Sequence, residues 1–205
     1  MNAPTPALGF ASFRRHGWIL VATLTVQLAL LALAFPLPGW AMGQGLFHID
    51  HPFHVYQVTL GRALLEQGHL IGYDPFFGAG NVGGVTFNVS ARLPVLISAL
   101  LPASVSSETL YLCYVFLCAL IAPVSLASIG PLLRWPAIQT ASIALLGTLF
   151  WWVGALHWYH TAGMVSFVCA CYTSPLYSVW VLRILRARHH RFAFAQLAAA
   201  GALGG

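Results

Sequence analysis

Residues 18–35 and 136–155 contain no charged side chain, and two further stretches, 108–129 and 164–184, carry only Glu108 and Arg183 at or near an end. Each is close to the roughly 20 apolar residues a helix needs to cross the hydrocarbon core of a bilayer. A chain built this way cannot assemble an ordinary soluble surface. Lysine is absent, and charged residues make up 6% of the sequence, against roughly 25% in a typical soluble protein. The expected fold class is therefore all-α, a polytopic helical integral membrane protein. Gly130-Pro131 should stop the second span and Pro123 should kink it, because proline lacks the N–H that continues a helix. Trp151, Trp152, Trp158 and Tyr159, at the far end of the third span, read as an interfacial aromatic belt. Arg14 and Arg15 before the first span would also suit a cleaved signal peptide, but the run is long for one and more spans follow, so an uncleaved signal anchor is expected. A last apolar run, 192–205, is about 14 residues and too short to span, so the chain is expected to be the first part of a longer protein. Cys113, Cys118, Cys169 and Cys171 lie within apolar stretches without zinc-site spacing and read as small packing residues.

Seven of the nine Arg (Arg14, Arg15, Arg134, Arg183, Arg186, Arg188 and Arg191) fall on one side of these spans, with no acidic residue near them. By the positive-inside rule that side is cytoplasmic, and the N-terminus with it. Short Arg clusters between apolar stretches are the signature of membrane-flanking loops, so the net charge of +5 does not mark a nucleic-acid partner. The same parity makes 94–101 a short helix at the outer face and leaves 36–107 as one outer loop, long enough to expect a functional task.

That loop holds Asp50, Glu66 and Asp74, with Glu108 at its membrane edge. A helix is expected over 52–67, with Phe53, Tyr56, Leu60, Ala63 and Leu64 on one face, lying flat on the membrane. Asp50 stands at its N-cap position, with Pro52 in the first turn. Asp50 and His54 are four apart and share a face, so a carboxylate and an imidazole can act on one proton. Residues 68–84 then carry six glycines in seventeen positions. No Gly-Lys-Ser/Thr follows and no strand is expected before it, so this is neither a Walker loop nor a dinucleotide fingerprint. Tight turns and packing at the membrane surface are its expected role. His157 and His160 lie on the same side as Asp50; two HxxH pairs with an acid are a conceivable metal set, but none is assigned.

The helix ending in LLEQGHL, the segment GYDPFFGAGNVGG, the short helix after Arg92-Leu93-Pro94 and the stretch GMVSFVCACYTSPLYSVWVLRILR together resemble the N-terminal part of multi-pass bacterial glycosyltransferases of the GT-C superfamily. The nearer likeness is to the YfhO-like proteins and to those labelled as a pyruvoyl-tetrahydropterin-synthase-related membrane domain. The resemblance implies a bacterial inner-membrane enzyme that transfers a sugar from a polyprenyl-phosphate donor to an acceptor on the extracytoplasmic face. It also implies an early acidic residue of the first outer loop as base or metal ligand, and Asp50 is the matching position. Relatives commonly carry two adjacent acids there, whereas Asp50 is followed by His51, and no metal cofactor is expected. Asp50 and His54 are the catalytic candidates. Arg92 and Arg62 are the outer cations available to a departing lipid phosphate, and His51 and Asp74 complete the substrate-binding set, although Asp74 before Pro75 also fits a simple turn. The competing class is a transporter or non-catalytic membrane protein, which should show ionisable groups within its spans.

Overall fold

The computed structural model describes residues 10–35, 49–76, 80–84 and 92–186. In chain order these form α1 (Phe10–Ala34), α2 (His51–Glu66), strands β1 (Ile71–Asp74) and β2 (Asn81–Gly84), α3 (Arg92–Ser98), α4 (Ser107–Ala127), α5 (Ile129–Leu133), α6 (Ala137–Phe150) and α7 (Val165–Arg186). Between α6 and α7 the chain continues in two π-helical turns, Trp151–Ala155 and His157–Thr161. Four helical segments are long and apolar enough to cross a membrane: His16–Ala34, Ser107–Leu133, Ala137–Ala155 and Val165–Arg183. They fall on the four expected spans and mark a helical membrane protein. The expected run over 192–205 lies outside the described residues.

The chain divides into two compact units. The first gathers residues 1–34, 119–156 and 167–204. Its helices meet in part through small side chains: Ala127 and Ala144 form one buried cluster with Ile19 across α1, α4 and α6. Gly147 leaves so little room beside Leu126 that an added Cβ would stand 3.0 Å from its Cδ1. In lipid there is no hydrophobic drive between helices, so close approach and interhelical hydrogen bonds hold them. Gln27 shows the second device. Fully buried in α1, it donates from Nε2 to the Ala119 carbonyl at 2.9 Å and accepts from Trp152 Nε1 at 2.9 Å. Both ends of the one amide in this span are thus satisfied within the protein.

Two expectations change here. Gly130-Pro131 does not stop the second span; α4 ends at Ala127, and Gly130 and Pro131 lie inside the short α5, which closes at Arg134 in a left-handed turn (φ 59°). Gly130 serves packing instead, since a Cβ there would meet Thr140 Oγ1 at 2.1 Å. The aromatic belt also dissolves. Trp151 and Tyr159 are fully buried, Trp152 is tied to Gln27, and Trp158 alone of the four is exposed.

The second unit comprises residues 35–118 and 157–166. It contains a feature the all-α reading lacks, the antiparallel pair β1–β2, with Gly72 opposite Gly83 and Asp74 opposite Asn81. Side chains alternate across a strand, so Gly72 and Gly83 share one face. An added Cβ at Gly72 would meet Leu64 Cδ2 at 2.3 Å, and one at Gly83 would meet Leu60 Cδ2 at 2.7 Å. The paired glycines therefore form a bare seat for two leucines of α2. The helix itself forms where expected, and Tyr56, Leu60 and Leu64 turn toward the hairpin. Its fully packed face is a different and more polar one: His51, His54, Gln57, Val58 and Gly61. At Gly61 the helix touches α3, where an added Cβ would stand 2.7 Å from Val95 Cγ1.

Candidate functional site

The start of α2 is held by a segment more than a hundred positions away in sequence. Asp50 N–H donates to the Ala162 carbonyl (3.4 Å), His51 Nε2 to the His160 carbonyl (2.7 Å) and His54 Nε2 to the Gly163 carbonyl (2.8 Å). Carbonyls only accept, so each ring carries its proton on Nε2 and presents a lone pair at Nδ1. Gly163 makes the approach possible: at φ 77° it adopts a conformation that other residues resist, and a Cβ there would lie 2.9 Å from His51 N and 3.1 Å from Asp50 Cβ.

His51 has no capacity left for a ligand. It is fully buried, and its Nδ1 accepts from the Tyr111 hydroxyl at 2.8 Å. The ring pins α2 to α4 and to residue 160. His54 differs. It is 9% exposed, and its Nδ1 is buried without a hydrogen-bond partner. Burial lowers its pKa below the ordinary 6.5, against the opposing pull of the Gly163 carbonyl and the Asp50 charge. The ring is therefore neutral at pH 7, with an unused acceptor.

Asp50 does not cap the helix with its side chain, although it occupies the N-cap position. The preceding residue, Ile49, is held at φ 45°, which costs a β-branched residue roughly 1–2 kcal/mol and turns the chain sharply into the helix. Asp50 is exposed, so its carboxylate is open to a substrate. Backbone strain of this kind gathers where a site is being shaped.

The other candidates separate from this centre. Asp74 is 1% exposed and takes both its hydrogen bonds locally, from Tyr56 O–H (2.6 Å) and from Phe76 N–H (2.9 Å). These bonds hold the turn and the hairpin–helix seam, and the carboxylate keeps the Tyr56 phenol above its usual pKa. Arg62 is likewise occupied: it pairs with Glu66 (3.1 Å) and donates to the carbonyls of Val105 (2.5 Å) and Pro102 (3.1 Å). Arg92 is exposed at the start of α3. Val95, three residues further along α3, abuts Gly61 of α2. Among the described residues no group of three His, Cys, Asp or Glu side chains is placed to hold a metal ion.

Tyr111 and Gly163 are site residues that sequence reasoning did not single out. Gly163 had a signal, a lone glycine between His160 and the fourth span. Tyr111 had none, being one aromatic among many in an apolar run. Comparisons with protein-family models, with curated proteins and with solved structures found no match.

Proposed function

We propose that this chain carries the catalytic side of a membrane-embedded glycosyltransferase. It transfers a sugar from a polyprenyl-phosphate donor to an acceptor at the extracytoplasmic face of a bacterial inner membrane, without a metal cofactor. One observation carries the reading: an exposed carboxylate, released from capping, stands beside a neutral imidazole whose buried Nδ1 has no partner. In the proposed reaction the Asp50 carboxylate takes the proton of an acceptor hydroxyl as its oxygen bonds to the anomeric carbon. The bond from that carbon to the lipid phosphate breaks, and the phosphate leaves with the electron pair. His54 Nδ1 accepts a hydrogen bond from the acceptor or a bound water and so orients it. Arg92 is the exposed cation for the phosphate end of the donor. The sequence resemblance supports the donor class, and the Arg asymmetry supports the orientation.

Membranes from cells producing the chain in its full reading frame, supplied with a labelled polyprenyl-phosphate sugar, test this directly. Donor consumption above that of membranes lacking the protein is expected. Equal consumption in both would remove the proposal.

A further inference from the structure

Imidazoles hold the start of α2 to residues 160–163. His51 and His54 lie on the packed face of α2, and each spends its Nε2–H on a carbonyl of that distant segment, at 2.7 and 2.8 Å. The Asp50 N–H on the Ala162 carbonyl adds a longer link at 3.4 Å. Neither ring has a place for a second proton. At His51 the other nitrogen already accepts from the Tyr111 hydroxyl, and both residues are fully buried. A proton there would turn the hydrogen of that hydroxyl away into surroundings without water, which leaves a polar group unmatched. At His54 the buried Nδ1 has no hydrogen-bond partner, so a proton would place a charge where nothing solvates it.

The titratable groups facing the two rings do not offset this. Burial disfavours the charged form of His54 more than the Asp50 carboxylate, exposed at the same helix end, favours it. Tyr111 of α4, its ring centroid 5.8 Å from each imidazole, brings a phenol and no carboxylate. His160 stands 6.4 Å from His51, and a proton on it adds repulsion. Either ring can take its second proton by swinging out to water, and in doing so it leaves its carbonyl. Release also frees Ile49 from φ 45°, a conformation that β-branched residues resist. We propose that this contact is an acid-released latch: protonation of His51 and His54 detaches residues 160–163 from the start of α2 and loosens the turn that carries Asp50. The latch depends on none of the proposed sugar chemistry.

Hydrogen exchange of the detergent-purified full chain, read by mass spectrometry and corrected for the intrinsic effect of pH on exchange, tests this. A freed ring titrates near 6.5, so each ring that the closed latch keeps neutral raises the open fraction by up to about tenfold between pH 7.5 and 5.5. Peptides covering 50–58 and 157–166 should therefore lose protection at the lower pH, by up to about 100-fold when both rings take part, while peptides from α6 keep theirs. His54→Gln retains an N–H donor for the Gly163 carbonyl but does not titrate, and it should reduce the loss by up to about tenfold. His51→Gln with His54→Gln should remove it. His69→Gln, at an exposed position away from the contact, should leave it unchanged. The latch is refuted by equal protection of both segments at the two pH values in the unaltered chain, or by an equal loss in α6. It is equally refuted by a loss that survives the His51/His54 pair or disappears with His69→Gln.

Discussion

Asp50 and Asp74 both lie in the long segment between the first and second spans, and the structure gives them opposite surroundings. Asp74 is buried and locally bonded; Asp50 is exposed and uncommitted. Their neighbours make two sharp expectations. Because burial lowers the pKa of His54, the folded protein resists a proton that the unfolded chain accepts below pH 6.5. Its contribution to stability is therefore constant above that pH and falls as pH drops toward the lowered value. Thermal unfolding in detergent at pH 7.5 and 5.5 should show this loss, and His54→Gln should flatten it. At Gly163, alanine must accept φ 77° and a Cβ pressed on the backbone of His51. Gly163→Ala should cost about 1–3 kcal/mol, read as a lowered unfolding midpoint, whereas Gly17→Ala, with open space around its Cα, should move it little. A Gly163→Ala protein as stable as the original would mean that the 160–163 segment does not clasp α2 in this way.

At the scale of elements, the hairpin–helix contact is the part of the outer loop whose energetics follow most simply from geometry. Gly72→Val puts a branched side chain where Leu64 sits and should destabilise by about 1–3 kcal/mol through overpacking. Ile71→Val, on the exposed opposite face, should be nearly silent, and similar losses from both changes would contradict the glycine seat. The spans were legible in the sequence because a run of about 20 apolar residues has few other uses. So was α2, from its periodicity and Pro52. The strands were not: four residues give too short an alternation to register, and Gly72 and Gly83 contribute no side chain to a hydrophobic pattern. The facing of α2 was misread for a physical reason. Its packed side is polar, with His51 and His54 satisfied by carbonyls 109 positions away in sequence, and a periodicity count treats only apolar residues as inward. The same blindness hides the bonds from Arg62 to the carbonyls of Val105 and Pro102.

At the scale of the whole molecule, the proposed function requires the loop that carries Asp50 to face outward and the Arg-rich ends of the spans to face inward. Gly80 is a poor reporter, because φ 106° and the Tyr73 hydroxyl leave no room for a side chain there. Phe76, 90% exposed, is a better one. In a background with all four cysteines replaced by alanine, Phe76→Cys should react with a membrane-impermeant maleimide in intact cells. Reaction only after permeabilisation would reverse the topology. The central claim, that Asp50 removes the acceptor proton, is tested most directly by turnover of a labelled polyprenyl-phosphate sugar by the full-length protein carrying Asp50→Asn. Asparagine keeps the shape and removes the charge and basicity, so the protein should insert and unfold as before while turnover falls by about 100-fold to 10,000-fold. Asp74→Asn should lower stability with far less effect on turnover per folded molecule. Wild-type turnover by Asp50→Asn, with activity lost in a folded Asp74→Asn protein, would contradict the assignment.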